Sequence, residues 1–182
     1  MPAWLKQSKP TIAVSALALA TVIVVALLTA RGDPAEPQTF GPWYPLTNAA
    51  GAPALADFEN HVPCTIDNPP IAECQRVKLG VVLYGTSTTP STYLISIVRV
   101  GVSDDRETHT GTWTVARGTA LDPGATVYEL DKSAPAHLRT FWPVGTHILY
   151  LLDQSRMPRP GDAAYGYALT SIPIGQTVQV PR

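Results

Sequence analysis

From residue 76 onward, apolar and polar positions alternate in short runs. In residues 76–84 (RVKLGVVLY), Val77, Leu79, Val81 and Leu83 fall on one side at a period of two, the spacing of a strand with one buried face. A Ser/Thr/Pro cluster at 86–91 breaks the run. Residues 92–100 are rich in Ile, Val and Tyr, and Gly101 with Ser103-Asp104-Asp105 marks the next turn. Residues 110–115 place Trp113 and Val115 on one face. Asp122-Pro123-Gly124 is a turn: Asp bonds its own backbone, Pro pre-sets φ and Gly tolerates positive φ. Residues 126–130, 138–142, 147–152 and 165–172 complete about seven short strands. Outside residues 11–30 no window sustains an i, i+3, i+4, i+7 apolar pattern. Strands joined by turns, without intervening helices, predict an all-β fold: a small antiparallel meander closed into a barrel or a sandwich. Closure also hides sheet edges that otherwise invite aggregation.

The block from His147 to Leu169 predicts the closing hairpin of that barrel. His147, Leu149 and Leu151 alternate with Ile148, Tyr150 and Leu152, so both faces can be largely buried, as in a central strand. Met157-Pro158-Arg159-Pro160-Gly161 cannot continue a ladder. The chain therefore loops out before Tyr165, Tyr167 and Leu169 return beside the preceding strand. Arg156 and Arg159 on this loop are read as solvated, their joint replacement by Ala changing stability by no more than about 0.5 kcal/mol. The rival reading makes them a clamp for an anion.

One segment breaks the strand pattern. From Thr11 to Ala30 the chain reads TIAVSALALATVIVVALLTA, without a charge. As a helix it would span roughly 30 Å, the hydrocarbon thickness of a bilayer. Lys6 and Lys9 precede it, while Arg31 and Asp33 nearly cancel after it. The positive-inside rule then leaves residues 1–10 in the cytoplasm and sends residues 31–182 across. The expectation is a single-pass inner-membrane signal anchor with its C-terminal domain in the periplasm. The alternative is a cleaved signal peptide and a secreted periplasmic domain, although Leu28-Thr29-Ala30 is a poor cleavage site. No Cys follows the segment, so no lipid-modified N-terminal Cys is available.

Residues 31–60 carry Pro34, Pro37, Pro42, Pro45 and Pro53 among Ala and Gly, which precludes a regular helix or a central strand. They are read as an extended linker, whose aromatics Phe40, Trp43 and Tyr44 pack its end onto a barrel domain at 61–182. Composition narrows the function classes. Thirteen basic against 14 acidic residues leave a net charge of −1, with no cationic excess to neutralise phosphates, which argues against nucleic acid.

Cys64 and Cys74 lie in HVPCTIDNPPIAEC. An even count outside the cytoplasm reads as a disulfide, worth roughly 3 kcal/mol on the chain-entropy model for a loop of about ten residues. Two free thiols, or a metal or redox role with His61 as a further ligand, are the alternatives. C-x-x-C spacing is absent. Among His61, His109, His137 and His147 no two stand at i, i+2 or i, i+4, so no local pair converges on a metal. Met157 alone cannot make a Met-rich copper site. Gly85-Thr86-Ser87 lacks the second Gly of a nucleophile elbow, and neither phosphate-cradling Gly motif is present. Asp104, Asp105 and Glu107 are interrupted by Arg106 and do not match a calcium loop. No catalytic residue and no cofactor is expected.

The order of Pro63-Cys64, Cys74, RVKLGVVLY, TYLISIV, Gly111-Thr112-Trp113, VYEL, Leu149-Tyr150-Leu151-Leu152-Asp153 and Tyr167-Ala168-Leu169 resembles the N-terminal domain of NlpE-type copper-resistance and envelope-stress lipoproteins, over residues 63–169. The resemblance implies a small periplasmic β-barrel of lipocalin-like shape. Two departures limit it: the family pattern has Pro-Cys-x-x-Cys, and it is usually lipid-anchored. Neither the closely spaced pair's chemistry nor lipoprotein sorting is carried over. The leading expectation is a non-enzymatic, membrane-anchored envelope protein that binds or senses an envelope protein or a small molecule. The alternative is a copper- or metal-handling protein using Cys64, Cys74 and histidines.

Overall fold

Eight antiparallel strands follow one another around a closed barrel in the computed structural model, which describes residues 39–40, 42–67, 69–175 and 178–179. Residues 1–30, with the segment expected to cross a membrane, lie outside the described residues. Among the described residues no helix is long and apolar enough to span a bilayer. Two-residue strands β1 (Thr39–Phe40) and β10 (Val178–Gln179) stand outside the barrel sheet. The barrel strands are β2 (Ala54–Val62), β3 (Arg76–Gly85), β4 (Pro90–Val100), β5 (Glu107–Arg117), β6 (Thr126–Leu130), β7 (Thr140–Val144), β8 (Ile148–Leu151) and β9 (Ala168–Ile172). Each pairs with the next, and β9 returns to β2 through Asp57↔Ile172, Phe58↔Ser171 and Glu59↔Thr170.

The meander and its closure match the expected fold class. The strand that closes it was not among those expected. β2 falls largely inside the Pro-rich stretch assigned to a linker, so the barrel begins at Ala54 rather than at 61. Pro53 supplies the reason for both. It cannot donate to a ladder, yet as the residue before the strand it needs no ladder bond. Beyond it, Ala56, Phe58 and Val62 keep the period of two that a proline-weighted reading overlooks.

The interior is filled by side chains. Trp113, Tyr93, Phe141, Leu79, Leu149 and Leu151 are all below 2 % exposed or close to it. Eight strands enclose a lumen just wide enough for side chains to fill. Polar atoms that enter this interior are satisfied: the Trp113 indole N–H donates to the Tyr84 carbonyl at 2.9 Å, and its ring meets Tyr128 edge-on at 5.1 Å. Ile66, carried by a short 3-10 turn (Cys64–Ile66), tucks against the same core where β2 hands over to β3.

The closing hairpin pairs as expected, with Leu149↔Leu169 and Tyr150↔Ala168. Its burial is one-sided, however: Leu149 and Leu151 are buried, whereas Ile148 and Tyr150 are half-buried. The return strand also starts at Ala168, three residues later than expected, although Tyr167 already accepts a bond from the Leu151 N–H.

Arg156 departs from the solvated reading. Its backbone holds a positive φ of 62°, and its guanidinium donates to the carbonyls of Arg117 (2.7 Å) and Gly118 (2.8 Å) and pairs with Glu129. The side chain therefore ties the β8–β9 loop to the β5–β6 connection.

Two substitutions test this packing in chemical denaturation. Leu151→Ala, at 1 % exposure, should cost about 2–5 kcal/mol. Arg156→Ala should cost about 1–2 kcal/mol, a charged donor to backbone discounted for its partial exposure. A neutral Leu151→Ala would remove that strand from the core.

Candidate functional site

Residues 42–53 run as a strap across the outer face of β3 and β4. Asn48 anchors it: its carboxamide oxygen accepts from the N–H groups of Ala50 and Ala52, while its nitrogen donates to the hydroxyls of Ser91 (3.0 Å) and Thr92 (2.8 Å). The Tyr84 hydroxyl donates to the Pro45 carbonyl at 2.9 Å. Tyr44 is buried with Val82 and Tyr84, so β3 is covered on both faces. The packing role expected of Trp43 and Tyr44 is what the fold shows. Residue 80 must be glycine for this contact, since a Cβ there would lie 2.6 Å from Cζ2 of Trp43.

Trp43 forms one wall of a cleft of about 320 Å3, with Glu59, His61, Lys78, Ser96 and Arg106 around it. The indole N–H donates to Glu59, and the Arg106 guanidinium lies 5.0 Å over the ring while also donating to the Ser96 hydroxyl. A cation above the face of a tryptophan is held by the ring quadrupole. The cleft thus combines an aromatic surface with charges of both signs.

Beneath Tyr44 lies Asp57, 2 % exposed, with Oδ1 lacking any hydrogen-bond partner among the described residues. Burial pushes its carboxyl up to about 7; Glu59, two residues along on the same face, pushes the same way, and the Tyr44 hydroxyl pulls against them. Burial and the nearby Asp57 in turn hold the Tyr44 hydroxyl up at about 12. A carboxyl carrying its proton near neutral pH costs less to bury than a carboxylate. Sequence reading missed Asp57 and Glu59 because both were assigned to the linker. Their i, i+2 spacing beside Ala56 and Phe58 was the available signal.

Cys64 and Cys74 are joined in a disulfide, with Cα atoms 5.9 Å apart, and both pack against the inner core. Disulfide sulfurs are not thiolates, so in this form they offer no charged metal donor. His61 faces the cleft instead, with Nε2 unpartnered; burial, Arg76 and Lys78 depress its basicity. The three candidate ligands therefore do not converge. His109 pairs with Glu107, which also accepts from Arg99 at 2.6 Å, and Arg99 grips both oxygens of Asp67 at 2.8 Å. Glu107 is thus a member of an ion-pair chain at the barrel end, and Arg99 holds its carboxyl below the usual range. Among the described residues no three His, Cys, Asp or Glu side chains are placed to hold a metal ion.

No protein-family model, curated protein or solved structure matches the chain.

Asp57 sets a pH dependence. Its folded pKa, about 7, lies above the unfolded value of about 3.9. The native state therefore holds this proton more tightly, and the associated stability is complete below about pH 4 and lost as pH rises through 7. Asp57→Asn should remove that loss. Measured by denaturation, the variant should gain on the wild type between pH 4 and 8, by up to about 4 kcal/mol. A wild-type-minus-variant difference that does not change with pH would contradict the buried carboxyl.

Proposed function

We propose that the protein is a non-enzymatic barrel of the cell envelope, tethered to the inner membrane by residues 11–30, with residues 31–182 on the periplasmic side, and that it serves a binding or sensing role. The observation that carries this reading is the packed interior. An eight-stranded barrel that carries a ligand in its lumen leaves room for it, whereas here Trp113, Tyr93 and Phe141 occupy that space. Ligands or partners accordingly meet the outside and the ends of the barrel, where the Trp43 cleft lies. The Cys64–Cys74 disulfide supports an oxidising compartment, and the uncharged run from Thr11 to Ala30 supports a tether. The closed antiparallel meander is consistent with the NlpE-like barrel expected from the sequence, and a lipid anchor is replaced in this reading by the helix.

Location is tested by adding protease to intact spheroplasts. Digestion of the barrel domain while a cytoplasmic marker survives is the expected outcome. Protection of the domain until the membrane is broken would place it on the other side and end the proposal.

A further inference from the structure

We propose that a concavity between the β6–β7 connection and the β8–β9 loop binds a small oxyanion bearing a carboxylate or phosphate group. It measures about 440 Å3, and His137, Arg139, Thr140, Gln154 and Arg159 supply its polar lining, with Leu152 as an apolar wall. The volume lies within the roughly 300–1,000 Å3 of small-molecule sites, which favours a metabolite-sized ligand over a macromolecule. This deepens the binding role proposed above and rests on it.

Among the described residues, the two guanidinium groups are held in place without a direct salt bridge to a carboxylate. Arg139 donates through Nε to the Ala134 carbonyl (2.9 Å) and through Nη2 to the Lys132 carbonyl (3.0 Å), which fixes the plane of the group. Arg159 lies 4.6 Å over the ring of Tyr167, and its backbone N–H donates to the Leu151 carbonyl at 3.0 Å. Its Nη1 is buried and has no hydrogen-bond partner among the described residues. A charged donor left without an acceptor is costly, and an oxyanion seated against the Arg159 side chain in the concavity would give the guanidinium one. Arg99 and Arg156 each reach a carboxylate, whereas Arg139 and Arg159, like Arg76, Arg106 and Arg117, form no salt bridge among the described residues.

One acid stands on the wall. Asp153 has Oδ1 taken by the N–H groups of Ser155 (2.8 Å) and Met157 (2.9 Å) and by the Ser155 hydroxyl (2.7 Å), so that oxygen serves its own turn. Among the lining side chains two arginines stand against one carboxylate, while Asp67 and Glu107, which also act on His137, are both paired with Arg99. The planar fork of a guanidinium pairs two parallel N–H groups with carboxylate or phosphate oxygens, which is why this chemistry, rather than a simple halide, is assigned.

The test uses the purified full-length chain in a neutral detergent, titrated by calorimetry with inorganic phosphate and separately with succinate, with sodium chloride at matched ionic strength as the blank. Saturable binding of either probe, weakened at least tenfold in Arg159→Gln and unchanged in Arg117→Gln, is expected; which probe binds separates phosphate from carboxylate ligands. Absence of saturable binding by both, or equal weakening in the two variants, would overturn the proposal. Phenylglyoxal labelling of the wild-type chain, read by mass spectrometry, decides the matter if Arg159→Gln does not fold. The bound probe should slow modification at Arg159 and leave Arg117 unaffected, and an unchanged rate at Arg159 overturns the site. The envelope reading fails separately, in spheroplasts, so the two failures are distinguishable.

Discussion

Strand β2 joins the two ends of the meander. Its backbone pairs with β3 from Ala54↔Tyr84 to Val62↔Val77, and on its other side with β9 around Phe58↔Ser171. Without that second seam the sheet would present two edges, each a row of unpaired N–H and C=O groups open to other chains. The core depends on the same seam. Phe58 and Leu169 are buried in one cluster with side chains from every part of the meander, and an open sheet would leave that cluster facing water.

The outer face follows from closure by a different route. A closed barrel has one inside, already full, so apolar residues on the outward side of β3 require another cover. The strap provides it by laying Tyr44 over Val82 and Tyr84. Cover comes with an electrostatic cost, because the strap also buries Asp57, which sits on the same outward side. Asp57 and the strap are coupled in this way: ionising the carboxylate penalises the covered arrangement, and uncovering the strand relieves it.

Much of this organisation is legible in the residues. Period-two runs locate β3 to β9 because side-chain alternation is a local property of an extended chain. Nearest-neighbour pairing then places β8 against β9. What the period does not contain is the identity of a distant partner. Nothing local in ALADFENHV announces that Asp57 will meet Ile172, and the surrounding prolines argue for a linker. Ends of strands shift for a similar reason: Leu138 has a strand-forming neighbourhood, yet it lies in a 3-10 turn (Ala136–Leu138) that inserts it into the core. Side-chain roles on loops are the least legible of all. Arg156 and Arg159 stand three residues apart in one irregular segment, and only the fold separates the one that crosses to Glu129 and the Arg117 and Gly118 carbonyls from the one that lies over Tyr167.

The disulfide has a kinetic meaning as well as a static one. The bond from the Thr170 hydroxyl to the Glu59 carbonyl bridges 111 residues, while Cys64 and Cys74 are separated by 10. Contacts between distant residues are slow to form because loop-closure entropy is spent before they are rewarded. The cysteine pair encloses only the connection between β2 and β3, so it can be made as soon as that hairpin exists. Once made, it holds the β2–β3 connection closed and so keeps β2 beside β3 as a preassembled edge. Capture of β9 then meets a template already in place, rather than requiring a search by two free ends.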